Sequence, residues 1–176
     1  MALSVDPATA DSFATLEEAN AYAAAQGLTA WATAPDSPPD AKEAALRRAT
    51  SHLSGAYNWI GKRTGGRDQT QAWPRTGVTD REGEPIADDE IPVEVKHACI
   101  IIAAQELEQP GSMDPQMIPA QRVKQETVGP ISVTYADGGN DPADVRPVLL
   151  KVKDLLAGLY HPDNAGTALF GSSMRS

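Results

Sequence analysis

The sequence has few cysteines, few aromatic residues and a minority of positive charges, and each shortage excludes a class of protein. One cysteine in 176 residues excludes an internal disulfide framework and a cysteine-rich zinc site. Lys and Arg total 15 against 24 Asp and Glu, which gives a formal charge of −9. A chain this acidic is a poor candidate for coating nucleic acid, because phosphate binding depends on Lys and Arg.

Long apolar runs are missing as well. The longest, residues 98–104, is far shorter than the roughly 20 residues that span a bilayer. The start of the chain shows no basic region followed by an apolar one, so no secretion signal is expected. We therefore expect a soluble, non-secreted protein, most of it in one domain and without membrane contact.

The pattern that is present is helical. Thr15 and Glu18 have the spacing of a capping box before an alanine-rich helix, and Gly27 is placed to end that helix. Between residues 46 and 60, apolar side chains recur every three or four positions, which predicts a long amphipathic helix. A third helix is expected over residues 91–109, and its all-apolar middle predicts a buried central position. A last helix is expected to begin near residue 144.

Two segments depart from the helical pattern. Glycines and prolines interrupt residues 61–89, so a long irregular loop is expected there. Residues 131–135 alternate apolar and polar side chains and follow Gly129-Pro130, which predicts a short hairpin. The predicted fold class is mainly α: about a four-helix bundle with a long irregular loop, one small β-hairpin and an extended C-terminal tail. The predicted divisions are a flexible N-terminal arm (1–14), a helical domain (15–160, with the loop at 62–90 and the hairpin at 122–135) and a C-terminal tail (161–176).

No motif in the sequence predicts catalysis. The glycines around Lys62 lack the spacing of a phosphate-binding loop and follow a helix instead of a strand. Cys99 and His97 are two residues apart on a helix, so they cannot form a nucleophile–base pair there. The acidic residues at 82–90 lack the pattern of a calcium loop. We predict no enzymatic activity, no cofactor and no metal.

Charge is distributed unevenly along the chain. Residues 42–81 hold eight basic and three acidic side chains, whereas residues 82–114 hold nine acidic ones against a single lysine. Such a pair of segments suits a head-to-tail interface between identical subunits. The basic segment could instead contact a DNA backbone, with Trp59 and Trp73 stacking on bases. A third interpretation is a solvated loop with both tryptophans in the core. The candidate subunit-facing or DNA-facing residues are Arg47, Arg48, Lys62, Arg63, Arg67, Trp73 and Arg75.

Several stretches resemble a known family. The most specific are Ala-Trp-Pro-Arg-Thr-Gly at residues 72–77 and Val-Gly-Pro-Ile-Ser-Val-Thr-Tyr at residues 128–135. Together with residues 16–22, 45–50, 59–64 and 91–96, they resemble a phage-encoded family described as DnaT-like and single-stranded DNA-binding. The helical layout also resembles, more loosely, the head–tail connector proteins of tailed bacteriophages. The likeness covers about residues 16–159.

The connector resemblance implies a structural head–tail adaptor located in the virion neck, and in the host cytoplasm during assembly. Such an adaptor would form a dodecameric ring under the portal protein and extend the channel for packaged double-stranded DNA, which it contacts non-specifically. It would also dock a tail-side neck, stopper or tail-terminator protein, and Leu169 and Phe170 in the tail are the candidate docking residues. The alternative that the family resemblance implies is a single-stranded DNA-binding accessory replication protein.

Overall fold

The structure, a computed structural model, describes residues 3–4, 11–35, 40–113, 125–128, 131–134 and 149–161. Within these residues the prediction of a mainly α fold is confirmed. Five helices are present: α1 (Leu16–Gln26), α2 (Thr29–Thr33), α3 (Asp40–Ala56), α4 (Val93–Glu108) and α5 (Leu150–Leu155). Two antiparallel pairs of strands complete the fold: β1 (Lys62–Arg63) with β2 (Arg75–Thr76), and β3 (Gln125–Val128) with β4 (Ile131–Thr134). The predicted docking tail, with Leu169 and Phe170, lies outside the described residues.

The capping box of α1 is confirmed. The Thr15 hydroxyl accepts a hydrogen bond from the Glu18 backbone N–H at 3.0 Å, and the Glu18 carboxylate accepts one from the Thr15 N–H at 2.8 Å. At the other end of the helix, Gly27 takes the left-handed conformation with φ 64°. These bonds are local, so a pattern of four residues was enough to predict them.

Helix α4 is the centre of the fold, as its apolar middle predicted. Its buried residues include Ala98, Ala103 and Ala104, and among the described elements α3 packs against it most extensively. From α3, Leu46, Ala49 and Leu53 are fully buried against it. In the part of the chain that the structure describes, no helix has the length and hydropathy to cross a membrane.

Residues 11–14 belong to this core, so for them the prediction of a flexible arm was wrong. Phe13 is fully buried, and its N–H donates to the Thr50 hydroxyl of α3 at 3.1 Å. The Arg47 guanidinium holds the Asp11 carboxylate at 2.7 Å. A single aromatic side chain and one ion pair thus attach this segment to α3.

The observed helices differ from the predicted ones in two places. Helix α2 was not predicted: it has five residues and no side-chain cap, and it buries Trp31. Helix α3 ends at Ala56 instead of continuing to Ile60. The Trp59 indole N–H turns back to donate to the Leu53 carbonyl at 3.0 Å, while the Ile60 N–H donates to the Leu159 carbonyl. The apolar periodicity therefore continued past the helix because those residues pack elsewhere in the core.

The predicted hairpin is present. Strands β3 and β4 pair antiparallel with Gln125 opposite Thr134 and Val128 opposite Ile131. The predicted start of α5 near residue 144 lies outside the described residues, and the helix that is described begins at Leu150.

The long loop between α3 and α4 is irregular, as predicted, and contacts within the chain order it. The Ser54 hydroxyl of α3 donates to the Gln71 side chain and accepts from the Ala72 N–H. Gly61 has φ 70°, and a Cβ at that position would meet the Thr76 carbonyl and lie 2.6 Å from a Val78 methyl group. Only glycine fits where the chain enters β1.

Candidate nucleic-acid interface

Arg75 faces into the protein. Its guanidinium donates to the carbonyl oxygens of Ile60 (2.6 Å), Gly61 (2.7 Å) and Ala72 (3.0 Å). Burial, and after it the nearby charge of Arg63, lowers the pKa of Arg75. These carbonyls lie in irregular backbone, where Arg75 supplies the hydrogen-bond donors that a neighbouring strand would otherwise provide. Because the guanidinium is occupied in this way, its donors are unavailable to DNA.

The two tryptophans proposed as stacking platforms are in the core, which was the third interpretation weighed for this loop. Trp73 is fully buried and Trp59 is 6% exposed. Their rings meet edge to face with centroids 5.6 Å apart. A base cannot reach either ring, so the prediction that Trp73 faces DNA or another subunit was wrong.

The other predicted basic residues do not form one surface. Arg47 is bound by Asp11 and, at 3.3 Å, by Glu43. Arg63 lies opposite Arg75 in the β1–β2 pair and donates to the Gln69 carbonyl. Lys62 and Arg67 are exposed, and within the described residues neither has an ion pair.

Acidic residues border one side of the β1–β2 pair. The Thr64 hydroxyl donates to the Asp88 backbone carbonyl, and a groove beside it is lined by Asp68, Asp88 and Asp89. The basic and acidic segments that suggested complementary faces of two subunits therefore meet within one chain. A DNA strand would be repelled on this side of the loop.

A different aromatic pair reaches the surface. Tyr57 and Tyr160 are partly exposed and contact each other edge to face, with centroids 4.9 Å apart. Tyr57 also lies 5.4 Å from the buried Trp59 ring. The two tyrosines are thus the outer end of an aromatic cluster whose inner end is Trp73.

Backbone pairing holds these tyrosines together. Trp59 and Tyr160 form an isolated antiparallel bridge, and the His161 N–H donates to the Asn58 carbonyl at 2.8 Å. The junction joins the segment after α3 to the segment after α5. Residues more than 90 positions apart in sequence are therefore fixed side by side.

Cations lie beside this junction. Lys62 follows it by two residues and is exposed. The Arg81 backbone lies 3.8 Å from the position that a Cβ would take on Gly158, and its guanidinium reaches the Asp154 carbonyl at 3.4 Å. His161 is exposed at the end of the bridge. We call this surface the aromatic–basic patch, and it consists of Tyr57, Lys62, Arg81, Tyr160 and His161.

Arg48 is placed differently from the other predicted residues. Its Nε donates to Glu106 at 3.1 Å, and about half of its side chain is exposed. Glu106 is buried, and burial alone would raise its pKa. The N–H groups of Met113 and Gly111, each at 3.0 Å, and the Arg48 guanidinium outweigh burial and keep the pKa of Glu106 below its ordinary value.

Cys99 and His97, the residues considered earlier for catalysis, are packed within the fold. Cys99 is fully buried, and burial raises the pKa of its thiol to about 11, so it is a poor nucleophile. His97 stacks on Tyr22 with centroids 4.1 Å apart, and burial lowers its pKa. Among the described residues, no three His, Cys, Asp or Glu side chains are grouped to hold a metal ion.

The fold and the patch are those of a mainly helical protein with a mixed aromatic and basic surface. A family model described as "Putative DnaT-like ssDNA binding protein" matches residues 1–175, and the chain belongs to this family. Searches of curated proteins and of solved structures found no match.

The family match corrects the main functional prediction. The prediction of a head–tail adaptor was wrong, because the description of the family that covers nearly the whole chain fits the alternative, a DnaT-like single-stranded DNA-binding protein, better. The DnaT-like part of the resemblance is confirmed. The ring under the portal was part of that adaptor prediction and is corrected with it. The portal and tail-side partners and the place in the virion stay predictions.

Proposed function

We propose that this protein binds single-stranded DNA without sequence preference through the aromatic–basic patch. The observation that carries the proposal is the family match over residues 1–175. The patch gives it a location, because it combines partly exposed aromatic rings with cations at a junction that backbone pairing holds. Proteins that hold single strands use this combination, in which bases stack on rings and phosphates meet Lys or Arg.

The tyrosines supply the selectivity for unpaired DNA. A base can lie against Tyr57 or Tyr160 only when it is not stacked inside a duplex, and such stacking contributes about 1–3 kcal/mol per base. The bridge between Trp59 and Tyr160 fixes the rings before DNA arrives, so little conformational entropy is lost on binding.

The charges set a modest affinity. Lys62 and Arg81 are the two full positive charges of the patch, and the whole chain carries −9. We therefore expect a dissociation constant in the range of non-specific binding, about 10⁻⁴–10⁻⁶ M at physiological salt. The role that fits this affinity is an accessory protein that holds single strands during replication and performs no catalytic step.

The test is a fluorescence anisotropy titration with a labelled oligothymidylate at several salt concentrations between about 50 and 200 mM. Lys62→Gln should flatten the dependence of log K on log salt by about 0.7, the value for one lost phosphate contact on a single strand. Lys151→Gln is the matched control: it removes the same charge from a lysine that is bound to Gln26 of α1, and it should leave the slope unchanged.

A second arm tests stacking. Tyr160→Leu should weaken binding of the oligothymidylate about fivefold or more, whereas Tyr160→Phe keeps the ring and should bind like the wild type. Binding of duplex DNA should respond to neither. The proposal fails if the wild type shows no salt-sensitive binding, or if Lys151→Gln and Lys62→Gln have equal effects.

A further inference from the structure

A cleft of about 370 Å³ lies on the exposed side of α3, next to the C-terminal end of α4. Its α3 wall consists of residues at positions 48, 51, 52, 55 and 56, and the opposite wall includes Glu106, Gly111 and Met113. Positions 48, 51, 52 and 55 are spaced so that they share one face of the helix. The walls contain one arginine, one histidine and a single carboxylate.

That carboxylate is already satisfied. One Glu106 oxygen accepts from the Met113 N–H, and the other accepts from the Gly111 N–H and from Arg48 Nε. Glu106 is therefore neutralised and buried, and it acts on the cleft by fixing the direction of Arg48. The two terminal nitrogens of Arg48 have no partner among the described residues. A guanidinium that is fixed through Nε, and whose terminal donors no described residue occupies, is suited to a phosphate, which it can bind with two parallel hydrogen bonds.

The cleft and the aromatic–basic patch are formed by neighbouring residues of the sequence. Gly55 and Ala56 line the cleft, and Tyr57 of the patch follows directly after them. Ala56 lies eight positions after Arg48 on the helix, which corresponds to a rise of about 12 Å along the helix axis. The intervening surface is low: Ser51, Gly55 and Ala56 are small and exposed, and nothing lies within 4 Å of the position of a Cβ on Gly55.

We infer that the single strand continues from the aromatic–basic patch along this face of α3 and places a backbone phosphate on Arg48. The inference rests on the proposed function. It adds a second contact, at Arg48, and a path for the strand along α3. The patch receives bases and the cleft receives a phosphate. The small residues between them let the strand lie close to the helix.

Gly55 offers a direct test, since a side chain there points into open space and the helix tolerates it. Gly55→Glu puts a negative charge on the proposed path and should weaken oligothymidylate binding about tenfold. Gly55→Gln has nearly the same shape without the charge and should bind within about threefold of the wild type. Gly55→Lys should bind more tightly and steepen the salt slope by about 0.7.

Arg48→Gln gives a second measurement and should flatten the salt slope by about 0.7. The path is refuted if Gly55→Glu and Gly55→Gln bind equally, or if the slope of Arg48→Gln matches that of the wild type. Failure of the inference can be distinguished from failure of the proposed function. In the first case Lys62→Gln and Tyr160→Leu still weaken binding, and in the second the wild type itself does not bind.

Discussion

Arg75 and Arg48 come from the same basic segment of the sequence, yet the structure uses them in opposite ways. In the loop between α3 and α4, Arg75 donates to the carbonyls of Ile60, Gly61 and Ala72. On α3, Arg48 is held through its Nε by Glu106, and no other described residue binds its terminal nitrogens. The comparison shows that a basic residue in irregular backbone can be occupied by carbonyl groups of its own chain, so its charge alone does not identify a ligand-binding residue. Carbonyl groups of irregular backbone that lack other donors are satisfied by nearby basic side chains, which are then not available to a ligand.

The largest expected effect comes from Arg75. Arg75→Gln leaves several loop carbonyls without donors, so the free energy of unfolding should fall by about 3–5 kcal/mol. Arg48→Gln should cost less, about 1–3 kcal/mol, because Glu106 keeps two backbone donors. Urea denaturation measures both. Under conditions where both variants are folded, only Arg48→Gln should change DNA affinity, and the reverse result would contradict the division between the two regions.

Two glycines sharpen the same comparison. Gly61→Ala forces a left-handed conformation and a clash with the Thr76 carbonyl, so we expect a loss of about 2 kcal/mol, or a melting temperature lower by about 4–8 °C. Gly55→Ala lies on an open helix surface and should increase stability by about 0.5–1 kcal/mol. Differential scanning calorimetry provides the measurement. Equal destabilisation by both variants would mean that the face of α3 is not open.

The smallest expected effect concerns acid. The pKa of Glu106 is lowered in the folded protein, so its contribution to stability is present above its ordinary value of 4.5 and is lost as the pH falls through the lowered value. In Arg48→Gln the folded pKa should rise, because one of the groups that lower it is gone. The free energy of unfolding should then depend less on pH below 4.5 than in the wild type. Identical pH profiles would show that Arg48 and Glu106 are not coupled.

Local signals accounted for the parts of the fold that the sequence predicted. Thr15 and Glu18 satisfy each other across one turn, and the buried run of α4 has the length and flanks of a helix. The hairpin followed from alternation over a few residues. Each of these features depends on side chains within a few positions of one another, and no knowledge of the tertiary structure was needed.

The site required contacts that are distant in sequence. Arg75 finds two of its carbonyl acceptors, Ile60 and Gly61, 15 and 14 residues earlier, and Tyr57 contacts Tyr160 across the fold. The sequence analysis proposed Trp59 and Trp73 as stacking residues because they lie in the basic segment, but Trp73 has the larger apolar side chain and is buried in the core. The tyrosines carry hydroxyl groups and remained at the edge of the same cluster. The hydroxyl groups of the tyrosines, which favour a position at the edge of the core, were the sequence signal that could have identified them.

The burial of Phe13 bears on how the protein can be shortened for study. Its ring fills space in the core, and its N–H is bonded to Thr50, which also contacts the Cys99 sulfur at 3.3 Å. A truncation that begins at residue 15, the N-cap of the first helix, would remove this ring and open a void against α3. Removing a phenyl side chain from a packed interior typically costs about 3–5 kcal/mol. Crystallisation trials on trimmed versions should therefore keep residues 11–14.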